Sequence, residues 1–301
     1  VVVIAGLLAT TEKTPLSWEQ VSRNLSSHIV TDPQMGCLRV LELSYLHLPD
    51  YLKRCFLYFA AFPEDHEIPV SKLSRLWIAE GFLQETGVKR LEDAAEDCLL
   101  DLIHRSLVIV AKTRSDGRVR SCRIHDLLRK LCQRKAQEEN FFQLVHGYDE
   151  HFATTPDGKV YNLADSRCSF STNPLRYKQR RLCICSEREH FTMLRPCGPR
   201  VHSLLFLAYN DWFPRCPYDI SFISKNFKLL RVLDLESINM GSSFPTGLEL
   251  LVQLRYLALR GAVNSVPTSI AKLRKLETFL LKGLSGEVEI PDAFWEMESL
   301  R

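Results

Sequence analysis

The sequence predicts a multidomain α+β protein: a helical half that ends in a winged-helix unit, followed by an α/β leucine-rich-repeat solenoid. Three observations carry this. An apolar pattern with a fixed proline recurs at 22 and 24 residues. Strand-like hexapeptides of alternating apolar residues accompany it. Upstream, helical periodicity is interrupted by an Asp-Gly hairpin signal and then resumes. A repeat spacing of about 20–29 residues is that of leucine-rich repeats.

The repeat segments align without gaps. They are Phe244-Pro245-x-x-Leu248-x-x-Leu251-x-x-Leu254, Val266-Pro267-x-x-Ile270-x-x-Leu273-x-x-Leu276 and Ile290-Pro291-x-x-Phe294-x-x-Met297-x-x-Leu300. Leu230–Leu235, Leu254–Leu259 and Leu276–Leu281 form the strand halves, with alternate residues turned inward. Val201–Leu207 and Arg181–Cys185 read as weaker, earlier strands.

The first half has a different period. Leu38–Phe59, Val70–Phe82 and Leu91–Leu102 place apolar residues at helical spacing. Leu107–Val110 and Val119–Ile124 flank Ser115-Asp116-Gly117, where Asp-Gly between β-rich runs marks a hairpin. A helix is predicted from about Asp126 to about Gln137. Helices, a hairpin and a further helix together make a winged-helix unit. Gly147–Gly158 is polar and without a clear period, as a linker would be. The expected domains are residues 1–30, the end of a helical subdomain; 31–146, the winged helix; 147–160, a linker; and 161–301, repeats that stop short of a complete array.

Composition narrows the function. Of the 301 residues, 46% are hydrophobic and 25% charged, as in soluble globular chains. A net charge of +3 does not mark a general nucleic-acid or membrane-surface binder. The opening apolar run Val1–Ala9 is too short for a bilayer span, which needs about 20 residues. It has no basic n-region and reads as a core helix cut at its start, so an upstream truncation is expected. The ten cysteines show no paired CxxC and no histidine spacing for zinc, and several lie in apolar helical patterns. A reduced, cytoplasmic protein without an integral membrane segment is expected.

Cys55-Phe56-Leu57-Tyr58-Phe59-Ala60-Ala61-Phe62-Pro63-Glu64-Asp65 resembles a motif of the second ARC subdomain of plant NB-ARC leucine-rich-repeat disease-resistance proteins, in the form of their coiled-coil class. Leu76-Trp77-Ile78-Ala79-Glu80-Gly81-Phe82 is similar to the next block of that family. Ala95-Glu96-Asp97-Cys98-Leu99 to Arg105-Ser106-Leu107 is similar to the one after, with Cys98 where the family more often has tyrosine. The whole stretch resembles late-blight-resistance-type receptors. Val1–Ser27 is similar to the helical first ARC subdomain, which makes residues 31–146 the second.

Ile124, His125 and Asp126 stand in the place of the family's Met-His-Asp motif. The resemblance implies that His125 contacts the β-phosphate of ADP and that Ile124 and Asp126 support it. Physically, an imidazole can donate to phosphate, and a helix start favours an anion. Asp126 is suited to cap that helix. Read alone, a His-Asp pair at this place is an ordinary cap. Ile124 keeps an apolar plug of methionine's volume.

No Gly-rich phosphate loop of the GxxxxGK[ST] form is present. The expectation is therefore a receptor fragment that is not an enzyme. ADP or ATP would bind the intact receptor, with no cofactor for this fragment alone. The resemblance implies an ADP/ATP-dependent switch coupled to recognition of a pathogen effector or guarded host protein at the repeats. It also implies contact with an upstream nucleotide-binding domain, oligomerisation on activation, and peripheral membrane association open to the intact receptor. Arg231, Asp234, Arg255 and Arg260 are the expected side chains of the recognition face. The competing readings are a repeat scaffold or truncated decoy without a switch, and a winged-helix DNA-binding regulator. The second rests on Arg118, Arg120, Arg123, Arg129, Lys130, Arg134 and Lys135, which have only Asp126 as a nearby acid in sequence. Nucleic acid is not among the expected partners.

Overall fold

The computed structural model describes residues 41–83, 89–146, 179–186, 198–208, 218, 220–283 and 286–301. The predicted helical subdomain 1–30 and the predicted linker 147–160 lie outside these residues. Two compact units divide at Glu139/Asn140.

In the first unit, residues 41–46 are helical, and α1 spans Asp50–Leu57. The predicted continuous helix over Leu38–Phe59 is thus broken. Pro49, at φ −55° and ψ 147°, caps α1 and cannot extend the preceding helix. The apolar spacing runs through the break because both pieces bury the same stripe. Leu43, Tyr45, Leu52, Cys55 and Phe56 are all buried. α1 passes into a three-ten turn, Tyr58–Ala61, whose four residues are buried.

A short strand β1, Ile68–Pro69, leads into α2, Val70–Glu80. Gly81 ends α2 with φ +73°. Its N–H donates to Ile78 O at 2.9 Å, and Phe82 N–H donates to Trp77 O at 3.1 Å. This is a Schellman closure, for which a left-handed residue is required. It turns Phe82 back onto Tyr58, with ring centroids 5.7 Å apart. Trp77 is fully buried edge-on to Phe59.

Helix α3, Leu91–His104, carries Glu92 and Asp93 in its first turn and His104 in its last, in the favourable sense of the helix dipole. The predicted hairpin is β2, Ile109–Thr113, and β3, Val119–Arg123. Asp116 Oδ1 accepts the Arg118 N–H at 3.0 Å inside the turn. The sheet order is β1-β3-β2, antiparallel throughout. Glu67, just before β1, ties the three strands together: its carboxylate accepts from Ser121 Oγ at 2.6 Å on β3 and Lys112 Nζ at 2.7 Å on β2. Helix α4, Asp126–Glu138, closes the unit and buries Leu128, Leu131 and Cys132. Helices plus a three-stranded wing make this a winged helix.

The second unit holds a six-stranded parallel sheet, β4 to β9 in sequence order. The strands are β4 Gln143–His146, β5 Arg181–Ser186, β6 Ser203–Ala208, β7 Val232–Asp234, β8 Tyr256–Gly261 and β9 Thr278–Gly283. Here the predicted boundary needs correction. Gln143–His146 was assigned to the winged helix, yet it pairs in register with Leu182–Cys185 and starts the repeat sheet. Four residues with weak alternation show no allegiance until a neighbouring strand supplies the hydrogen bonds.

Register stacks Leu182, Leu204, Leu233, Leu257 and Phe279 in one column. With Ile184, Phe206, Leu235, Leu259 and Leu281 they face one core. Between strands, Pro267 and Pro291 cap three-ten turns Thr268–Lys272 and Asp292–Phe294. The first repeat differs: Gly247, at φ +86°, caps Leu248–Leu250, two residues beyond Pro245. A Cβ there would lie 2.7 Å from Ser224 Oγ on α5, Ser221–Asn226. The close approach of α5, which the periodicity did not reveal, imposes the altered turn.

Candidate functional site

Alternation along the end of β3 sets the geometry of the predicted site. Arg123 is exposed, Ile124 is buried at 4%, and His125 is exposed again. Ile124 thus anchors the strand end in the core and turns the imidazole outward. Its role as an apolar plug fits this burial.

His125, at φ −72° and ψ 143°, is itself the N-cap of α4. This corrects the expectation that Asp126 caps the helix. The Nδ1 of His125 accepts the Leu127 N–H at 3.3 Å. Asp126 occupies the first turn, where its negative charge complements the helix dipole. Its Oδ1 lies 3.6 Å from His125 Nδ1. Because Nδ1 accepts, the neutral ring carries its proton on Nε2, and that N–H is left to a partner outside the helix. The His125 side chain is 57% exposed.

Arg129 fixes this corner from below. Its N–H donates to His125 O at 2.9 Å, and its buried Nε donates to Phe62 O at 2.7 Å. Phe62 in turn stacks on His66, centroids 6.2 Å apart. The helix start and the Phe62–Asp65 turn, distant in sequence, are therefore one piece.

These residues fit one edge of a diphosphate site. An exposed Nε2–H at a helix start is a donor for a phosphate oxygen. The nearby Asp126 carboxylate opposes an anion, so His125 alone does not make a complete site. Among the described residues no cluster of three or more His, Cys, Asp or Glu is placed to hold a metal.

The basic stretch is largely engaged, contrary to its appearance in sequence. Lys135 and Arg134 both pair with Glu42, the latter at 2.8 Å, and both reach Glu138, at 2.7 and 3.6 Å. Arg118 lies 4.0 Å from Glu96 and 3.9 Å from Asp116. Burial works to raise the Glu42 carboxyl, but the Lys135 hydrogen bond and the charges of Arg134 and Lys135 prevail and hold it below the usual carboxylate range. Sequence reasoning missed Glu42 because it stands 92 residues from Arg134. Its only sequence signal was an acid in the helical segment before α1. Arg123 and Lys130 remain exposed.

On the repeat sheet the four expected recognition residues part company. Arg231 is exposed. Arg255 is half-buried and 3.7 Å from Glu277. Arg260 is half-buried. Asp234 is fully buried, and its Oδ1 accepts the Glu236 N–H at 3.1 Å. It closes a turn at the end of β7 and does not project to solvent, a correction to its expected place. Glu236 in turn pairs with Lys282 of β9.

Comparison with known proteins agrees with this architecture. Residues 61–132 match the disease resistance protein winged helix domain, and residues 213–301 match a leucine-rich repeat region. The chain is 39% identical over 311 aligned positions to late blight resistance protein homolog R1B-12 of Solanum demissum, covering 100% of this chain and 21% of that protein. It is 39% identical to homolog R1B-16 and 36% identical to homolog R1B-14 of the same plant, again over the whole chain and over 22% and 21% of those relatives. The chain thus spans roughly a fifth of the length of these relatives. Among the described residues no helix is long and apolar enough to cross a membrane. A winged helix with its wing on β2–β3, a stacked leucine core and similarity along the whole of this chain lead to one conclusion: the chain carries a disease resistance protein winged helix domain and a leucine-rich repeat region, and is similar throughout to late blight resistance protein homologs, of whose length it spans about a fifth.

Proposed function

We propose that this chain is the switch-and-sensor portion of a cytoplasmic plant immune receptor. In that reading His125 donates its Nε2–H to the β-phosphate of ADP held by an upstream nucleotide-binding domain. The observation that carries the reading is the N-cap bond from Leu127 to Nδ1, which frees Nε2 at the positive end of α4. ADP, when bound, supplies the negative charge that draws the two domains together. Ile124 holds the strand end, Asp126 steadies the helix start, and Arg129 locks both to the Phe62 turn. The repeats receive a pathogen effector or a guarded host protein. Partner binding favours the open state to the extent that the partner binds it more tightly. ATP exchange, oligomerisation and defence signalling follow in the intact receptor.

The test uses the intact receptor. His125→Ala is expected to lower the retained ADP after purification about ten-fold or more, the loss of one charge-assisted or neutral phosphate hydrogen bond being about 1.5–3 kcal/mol. Asp126→Val is expected to signal without a pathogen. A folded His125→Ala receptor that retains ADP as the parent does would overturn the assignment.

A further inference from the structure

The flank of the repeats carries side chains that neither the strand face nor the nucleotide site uses. Phe227-x-x-Leu230, Leu251-x-x-Leu254, Leu273-x-x-Leu276 and Met297-x-x-Leu300 hold the same place in successive repeats. The first three pairs are fully buried. Their burial turns the intervening residues, and the one just before each pair, away from the core. Such residues of neighbouring repeats lie side by side: Lys275 Nζ donates to Gln253 Oε1 at 2.8 Å, and Ser299 Oγ donates to Arg274 O at 2.7 Å.

Across the repeats one row runs Lys228, Val252, Arg274, Glu298, and the row beside it runs Leu250, Lys272, Glu296. All seven are exposed. Leu229, beside Lys228, is 44% exposed, Leu250 56% and Val252 50%, so three large aliphatic side chains stand outward on two adjacent repeats. Single exposed aliphatics are ordinary, whereas a group of them marks a contact surface. Along the stack, cations bound this group on both sides: Lys228 on one, Lys272, Arg274 and Lys275 on the other. Among the described residues none of these four forms an ion pair. Glu249, next to Leu250, is half-buried and lines a cleft with Ser243, Phe244 and Ser265.

We propose that this flank docks an amphipathic helix of an acidic partner protein. The apolar stripe of the helix covers Leu229, Leu250 and Val252, and its carboxylates meet the cations on either side. The dimensions fit. Neighbouring strands stand about 4.8 Å apart, so the span from the Lys228 repeat to the Arg274 repeat is about 10 Å at the sheet. A helix with its side chains is about 10–12 Å across. Apolar burial supplies the attraction, and the two cation groups set the orientation and the salt dependence. An anionic membrane is the poorer match, because the same rows continue into Glu296 and Glu298. A flat surface broad enough to reach both cation groups meets those carboxylates, whereas a single helix lies clear of them. The inference does not depend on His125 or on nucleotide.

The test titrates the 301-residue chain with a synthetic helical peptide, followed by fluorescence anisotropy. The peptide has leucine at i, i+3, i+4 and i+7 and glutamate along both edges of that stripe. The expected result is saturable one-to-one binding that weakens as salt rises. Lys272→Glu combined with Arg274→Glu, and separately Val252→Asp, weaken it about ten-fold or more, whereas Lys130→Glu on the winged helix leaves it unchanged. A peptide with lysine for every glutamate binds the charge-reversed variant more tightly than it binds the parent. Absence of saturable binding overturns the proposal, as do equal binding of the two peptides to the parent and full affinity of both variants. Co-sedimentation of the chain with phosphatidylserine–phosphatidylcholine vesicles, abolished by the same substitutions, overturns it in favour of a lipid surface. Should Val252→Asp fail to fold, the charge-reversed variant with the two peptides decides alone.

Discussion

Arg129 Nε donates to the carbonyl oxygen of Phe62 at 2.7 Å, joining α4 to a turn 67 residues earlier. Arg129, only 9% exposed as a residue, keeps one of its directed N–H groups on a backbone acceptor that α4 would otherwise cover. Arg129→Met is therefore expected to cost about 2–3 kcal/mol of unfolding free energy, because a buried acceptor is left without its charged donor. Urea denaturation of the chain measures it. A loss under about 0.5 kcal/mol would show that water replaces the bond.

Glu42 joins Arg134 and Lys135 at one point of the winged helix. Its folded carboxyl is held below the ordinary value near 4.5. Such a group contributes stability above its unfolded value, and that contribution is lost as pH falls through the folded value. Glu42→Gln should thus cost about 0.5–1 kcal/mol at neutral pH, less in high salt, and nothing in acid below the carboxylate range. Denaturation curves of both proteins across that window should converge on the acid side.

Two left-handed helix ends make opposite predictions. Ser106, at φ +59°, closes α3 with the hydrogen-bond pattern that Gly81 uses for α2. Ser106→Gly should raise stability by about 0.5–1 kcal/mol, since glycine carries no Cβ against the carbonyl. Gly81→Ala should lower it by about 1 kcal/mol, although nothing crowds the new methyl. Thermal melts of the two variants check the signs.

Leu257 lies in the leucine column between Leu233 and Phe279 and is fully buried. Leu257→Ala is expected to cost about 2–5 kcal/mol. Each repeat rests on its neighbours, so the loss should reach β7 and β9 before β5. Amide exchange read strand by strand distinguishes this from a uniform loss.

Much of the fold was legible because local periodicity and tertiary burial agree. Leu233, Leu257 and Leu259 are spaced for one sheet face and all reach the core. Asp116-Gly117 marks a hairpin that forms where expected. The helix start at Asp126 is likewise a local property. The candidate site was only half legible. The order Ile124-His125-Asp126 placed the residues, but which of them caps α4 depends on backbone angles at His125.

By itself the sequence determined the two-part architecture, the repeat registers and the position of the outward histidine, because each follows from side chains within a turn or two of one another. Tertiary structure alone decided that Gln143–His146 belongs to the repeat sheet, that Glu42 pairs with Arg134 and Lys135, and that Asp234 is buried. Those facts depend on strand pairing, charge and burial between segments tens of residues apart. No local pattern encodes a contact whose second partner lies on another element.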